Sequence, residues 1–425
     1  MPSKAFGELV EAERHTPSLA AEELQALLDQ QADLVVLDAR RFDEYQTMSI
    51  PGSTSVPGAE LVLRVRDLAP DPRTRVVVNC AGRTRSIIGT QSLVNAGIPN
   101  PVAALRNGTI GWTLAGQKLE HGQSRRFKAI NEAQRAPAQD AARAVADRAD
   151  VARIDLAQWR RWQADPKRTS YLFDVRTPEE FAAGHLPGAR STPGGQLVQE
   201  TDHFASVRGA RLVLVDDDGV RANMSASWLA QMGWQVAVLD GLRDSDFSVR
   251  GPWQAPLPDT SPAEEISPRT LATWLQEPGT LVLDFTASAN YVQRHIPGAW
   301  WALPSQLQEA LAQLPQAERY VLTCGSSLLA RFVVPQLQAL TQRPVFLLSG
   351  GTAAWIEAGL PVEESRQQLA SPRIDRYRRP YEGTDNPKEA MQGYLDWEFG
   401  LVAQLGRDGT CLLYTSDAAD EEDSV

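Results

Sequence analysis

The chain has 425 residues, of which 43% are hydrophobic and 22% charged, with a net charge of −11. This is the composition of a globular protein of about three domains. The acidic balance argues against nucleic-acid binding, which needs a basic footprint, and no run of 18 apolar residues offers a membrane span. The N-terminus lacks the apolar core of a signal peptide. Three cysteines (80, 324 and 411) and five histidines show neither a disulfide framework nor metal-ligand spacing, so no metal site and a reducing, cytoplasmic setting are expected.

In chain order, residues 17–122 form a first unit. An amphipathic helix with Leu24, Leu27 and Leu28 on one face leads to the strand Leu34–Asp38, and the pair Pro51-Gly52 follows. A second apolar strand, Arg75–Asn79, runs into the loop Cys80-Ala81-Gly82-Arg83-Thr84-Arg85-Ser86. A helix follows from Ile87 to Ala96, stopped by Gly97, then a strand at Val102–Leu105 and a turn from Gly108 to Trp112. Residues 123–151 are rich in Ala, Arg, Gln and Asp and are expected to be a linker or a solvated helix.

The pattern recurs over 152–248 and 263–364. The strands end in Asp174 and Asp284, the Pro-Gly pairs are Pro187-Gly188 and Pro297-Gly298, and the loops begin at Asp216 and Cys324. From the strand Asp to the loop is 42 residues in the first two units and 40 in the third. Ser267-Pro268 reads as a helix cap and first-turn proline, and Gly233 as a helix stop. A proline-rich stretch, 250–262, separates units two and three. Residues 373–406 are expected to be a helical extension docking through Tyr394, Trp397 and Leu401. The acidic tail 411–425 is expected to be disordered, with no role for Cys411.

Apolar strands alternating with helices predict, in each unit, a small parallel sheet covered on both faces. Ligands of such sheets bind beyond the carboxyl ends of the strands, where Cys80 lies. A thiol there faces converging amides at a helix start and two nearby arginines, which favour the thiolate and can hold an anion. Cys80 is therefore the candidate nucleophile.

The best motif evidence is Asp174-Val175-Arg176-Thr177-Pro178-Glu179-Glu180-Phe181 with Gly184-His185-Leu186-Pro187-Gly188-Ala189. Together with the cysteine loop and the Gly-x-x-x-Trp turn, it resembles rhodanese domains. The whole chain looks like the tandem rhodanese-related sulfurtransferases, some of which carry four copies, so an N-terminal copy would be missing here. The resemblance implies that Cys80 takes sulfur from thiosulfate or a similar donor as a persulfide and passes it to a thiol, cyanide or a protein acceptor, with no organic cofactor. Ala81, Gly82, Thr84 and Ser86 would line the cradle, and Arg83 and Arg85 would draw the donor, Arg85 by direct contact. Asp38 and Arg40 would brace the loop, and His185 and His295 would anchor turns. Asp216 cannot carry sulfur, so the second copy is expected to be inactive. Cys324 is a second candidate site, with Leu329 where the first copy has Arg85 and with Arg331 nearby as a partial substitute.

Two rival readings stand beside this one. A phosphatase or arsenate reductase needs an arginine six residues after the cysteine, where this chain has Ser86. A non-catalytic scaffold, or a redox- or persulfide-sensing module, would fit the two altered loops.

Overall fold

The computed structural model describes residues 2–260, 262–376, 379–380, 382 and 386–408, and Cys411 and the acidic tail lie outside them. Three five-stranded parallel sheets carry the fold. In spatial order the first is Ser18–Leu19, Val102–Leu105, Arg75–Asn79, Leu34–Asp38, Thr54–Ser55. The second and third repeat this order around Arg211–Val215 and Arg319–Thr323. The central strands are rich in Val and Leu and buried along most of their length, as strands covered on both faces must be. Register places Asp38 beside Asn79, Asp174 beside Val215 and Asp284 beside Thr323. Each terminal Asp thus stands next to the residue that precedes Cys80, Asp216 or Cys324.

The chain divides into two compact units, residues 1–254 with 379–425, and residues 255–378. The first unit holds two of the sheets, and these repeats meet through equivalent surfaces. A Cβ on Gly195 would lie 2.9 Å from Gly58 Cα, and Trp228 Nε1 donates to Ser92 Oγ at 2.8 Å.

Two expectations are corrected here. The segment expected to be a solvated helix or linker contains the helix Glu132–Arg148, and its Ala138, Ala142, Val145 and Ala146 are buried in the cores of both repeats. Alanines four residues apart make a thin face that packs closely but adds little to a hydropathy profile. The terminal extension is two helices, Lys388–Phe399 and Leu401–Asp408. Its docking face is Met391, Tyr394, Leu395, Glu398 and Leu401, whereas Trp397 is 40% exposed.

A helix to which the sequence reading assigned no element, Pro2–Arg14, packs on the helix Thr84–Asn95 behind the Cys80 loop. Phe6 and Val10, one turn apart, are its buried anchors, and the Phe6 ring meets Trp228 edge-on at 6.0 Å.

Candidate active site

The Cys80 loop joins the strand Arg75–Asn79 to the helix Thr84–Asn95. Cys80 is 2% exposed, and its thiol donates to Ser86 Oγ at 3.4 Å. The Ser86 hydroxyl donates in turn to the Arg83 carbonyl at 2.8 Å. From the other side, Thr109 N–H donates to the Cys80 carbonyl at 2.9 Å and Ile110 N–H to that of Ala81 at 3.0 Å. The approach requires a glycine, because Gly108 has φ +54° and a Cβ there would lie 2.2 Å from the Cys80 carbonyl oxygen. The turn before Trp112 thus does more than fold the chain: it holds the thiol loop.

Beneath the loop, Arg40 and Asp38 form a buried bidentate pair, Nε to Oδ1 at 2.9 Å and Nη2 to Oδ2 at 2.8 Å. Asn79 Nδ2 donates to the same Oδ2 at 2.8 Å, tying the two strands together at the loop's base.

The two arginines have separate roles. Arg85 makes a fork with Glu44, both contacts at 2.8 Å. Burial pushes the Glu44 carboxyl up, but the Arg85 charge and hydrogen bonds outweigh it and hold the group down to about 2. A carboxyl lowered on folding contributes stability that is present above its ordinary value near 4.5 and is lost as pH falls toward 2. Glu44→Gln is therefore expected to lower stability at pH 7 and to flatten its fall between pH 4.5 and 2, read by urea titration at several pH values. An acid profile as steep as that of the parent chain would contradict the assignment.

Arg83, expected to draw a donor, is held by groups of the protein itself. Its guanidinium donates to Glu8 at 2.7–2.9 Å, to Glu11, and to Asn107 at 3.2 Å, and it stacks 4.2 Å from the Phe399 ring. Two carboxylates neutralise it, so it fastens the loop to the N-terminal helix.

A roof closes over the loop. Ala81 packs with Ile110, Met391, Tyr394 and Leu395. A Cβ on Gly82 would meet Glu398 Oε2 at 2.7 Å, and one on Gly7 would meet Thr84 Cγ2 at 2.9 Å. Lys4 Nζ donates to Glu398 Oε1 at 2.6 Å and to the Tyr394 hydroxyl, which itself donates to Glu398 at 3.0 Å. Ala81, Gly82, Arg83, Thr84, Arg85 and Ser86 are all buried as a result.

The second repeat displays what such a loop can bind. The Asp216 carboxylate folds into its own loop and accepts from Gly219 N–H at 3.0 Å and Ala222 N–H at 2.8 Å. Counted from the loop start, these positions correspond to Arg83 and Ser86. Burial and the neighbouring Asp218 charge push the Asp216 carboxyl well up. Asp218 accepts from Val220 and Arg221 N–H. The loop amides therefore converge on a hydrogen-bond acceptor, and here the chain's own carboxyl group supplies it.

In the third repeat Arg331, the expected partial substitute for an arginine within the loop, pairs with Glu265. His185 and His295 each place Nδ1 against a carbonyl four residues back, Phe181 at 2.8 Å and Tyr291 at 2.7 Å, and stack on those same rings. Among the described residues no cluster of three His, Cys, Asp or Glu could hold a metal ion, and no helix is long and apolar enough to cross a membrane.

Comparisons with known proteins bear on the fold of the repeats. The family model of the rhodanese-like domain matches residues 20–115, 155–241 and 267–358. The crystal structure of thiosulfate sulfurtransferase from Pseudomonas aeruginosa is 78% identical, covers 97% of this chain and 79% of its own, and superposes with a TM-score of 0.93. A 3-mercaptopyruvate sulfotransferase from Escherichia coli is 19% identical, over 54% of this chain and 99% of its own, with a TM-score of 0.26. An uncharacterized protein of Synechocystis is 33% identical over 103 residues, which are 24% of this chain and 56% of that protein's length.

Proposed function

The chain belongs to the rhodanese-like family, whose domain occurs in it three times, and we propose that it is a sulfurtransferase acting through a Cys80 persulfide. The observation that carries this reading is the Cys80 thiol at the head of a loop whose sister in the second repeat holds a carboxylate on its amides. The 78% identity to a thiosulfate sulfurtransferase supports thiosulfate as the donor.

The chemistry is ping-pong covalent transfer. The Cys80 thiolate attacks the outer sulfur of thiosulfate, the donor S–S bond breaks, and sulfite leaves with the bonding pair. The amides of Arg83 and Ser86 receive the terminal persulfide sulfur as Gly219 and Ala222 receive Asp216. A thiol, cyanide or a protein nucleophile then takes the sulfur and returns the thiolate. The only prosthetic state is the persulfide. Two buried free thiols, Cys80 and Cys324, suit a reducing cytoplasmic setting. The second repeat serves as a support, its cradle already filled by Asp216.

Kinetics with thiosulfate and cyanide test the scheme. Parallel double-reciprocal lines are expected, and intersecting lines would contradict a covalent intermediate. Arg85→Ala is expected to raise KM for thiosulfate about tenfold more than for an uncharged donor, through the lost attraction for a dianion. Because that change also strands Glu44, the double change Arg85→Ala/Glu44→Gln should regain stability without regaining thiosulfate affinity. Equal effects on both donors would remove the electrostatic role.

A further inference from the structure

The third repeat has kept the thiol cradle while losing its charges. The Cys324 carbonyl accepts from Thr352 N–H at 3.0 Å and that of Gly325 from Ala353 N–H at 2.9 Å, as Thr109 and Ile110 hold Cys80 and Ala81. Gly351 has φ +66°, and a Cβ there would lie 2.4 Å from the Cys324 carbonyl oxygen, repeating the contact of Gly108. The third loop thus keeps both the thiol and its support.

Its mouth differs from that of Cys80. The fork of Arg85 with Glu44 recurs as Arg221 with Glu180, but the third repeat has Leu329 and Asn290 at those two positions. Both members have been replaced, and no charged residue lies between Cys324 and Ala330. Leu328 is 41% and Leu329 46% exposed, Gly325 and Ser326 are exposed, and a Cβ on Gly325 would meet nothing within 4 Å. Cys324 itself is 6% exposed and packs in the apolar core of its repeat, and the exposed leucines follow it in the loop. Within the loop Ser327, 4% exposed, holds a buried hydroxyl with no hydrogen-bond partner among the described residues. A buried hydroxyl without a partner is costly unless a bound group supplies one.

We propose that Cys324 is a second sulfur-accepting site, selective for organic persulfides with an apolar body rather than for the thiosulfate dianion. It shares the persulfide chemistry proposed for Cys80 but not its donor. The exposed leucines cover the organic body of the donor, and the Ser327 hydroxyl meets the polar sulfur end. Cys324 gives up its proton and attacks the terminal sulfur of R–S–SH, and the donor S–S bond breaks as a new one forms at Cys324. The organic thiolate departs and takes up the proton, with no net oxidation.

The test uses the full chain with Cys80→Ser and Cys411→Ser, so that Cys324 is the only thiol. The protein is treated with benzyl hydropersulfide or with thiosulfate, and the added sulfur is followed by intact mass and peptide mapping. Loading of Cys324 from benzyl hydropersulfide is expected to be at least about tenfold faster than from thiosulfate, the scale of steering by local charge. It should also outpace the same thiol in the urea-unfolded chain. Leu329→Arg should narrow the preference by raising the thiosulfate rate. No adduct, equal rates from both donors, or loading no faster than in the unfolded chain would overturn the proposal. Failure of Cys80 to load from thiosulfate in a Cys324→Ser chain would instead overturn the Cys80 reading and leave this one standing.

Discussion

Cys80→Ser is expected to abolish sulfur transfer from thiosulfate to cyanide, a loss on the order of a thousandfold or more, as removal of a covalent nucleophile produces. The substitution is small, so the fold should survive. Cys80 makes one long thiol contact, to Ser86 Oγ at 3.4 Å, and the loop is held by backbone bonds from Thr109 and Ile110 that a serine leaves intact. Cys324→Ser should keep most of the thiosulfate activity, because the third loop lacks both the arginine and its glutamate partner. Equal losses from the two variants, with unchanged melting behaviour, would contradict the assignment of thiosulfate chemistry to Cys80.

The largest effect on stability is expected from Arg221→Met. This guanidinium, 1% exposed, lies where the first two repeats meet and donates to Glu60 at 2.7 Å, Glu180 at 2.6 Å, Asp217 at 3.0 Å and Asp218 at 2.5 Å. Burial opposes the cation, but the charges of Glu60, Asp218 and Glu180 outweigh it and push its proton affinity well up. Methionine fills the volume but takes the cation from Glu180 and Asp218 and leaves Glu60 with only Arg64 and Asp217 with only Arg176. Removing one partner of a buried ion pair costs about 3–5 kcal/mol, most of it as uncompensated charge. The deficit should shrink as pH falls and the stranded carboxylates take up protons. Urea unfolding at neutral and acid pH reads both, and a change below about 1 kcal/mol would place the pairs among surface bridges of small effect.

Much of the architecture was legible because buried parallel strands have a strong signature. Val76-Val77-Val78 and Leu212-Val213-Leu214 can only be interior strands, and an Asp at a strand end, a Pro-Gly pair and a loop recur at nearly constant spacing. Cys80 stood out for the same reason. What escaped were contacts between residues far apart in sequence. Arg83 looked like a donor contact because its partners Glu8 and Glu11 lie 75 and 72 residues away. The roof of Lys4, Tyr394 and Glu398 joins the two ends of the chain, 394 residues apart, and no local pattern marks it. The helix Glu132–Arg148 hid its buried face in alanine, which the hydropathy of an Ala-, Arg- and Gln-rich stretch does not register. Trp397 followed helical periodicity onto the docking stripe, but the face of that helix is set by Tyr394 and Glu398, which close on Gly82. Asp216 read only as a residue unable to carry sulfur, whereas its carboxyl group occupies the amides of Gly219 and Ala222.

The most direct test of the central claim is the intact mass of the protein after treatment with thiosulfate, with peptide mapping of any added mass. One added sulfur on Cys80, removed by cyanide or by a thiol, is the predicted result. A Cys80 that remains unmodified under conditions in which the folded protein turns over thiosulfate would contradict it.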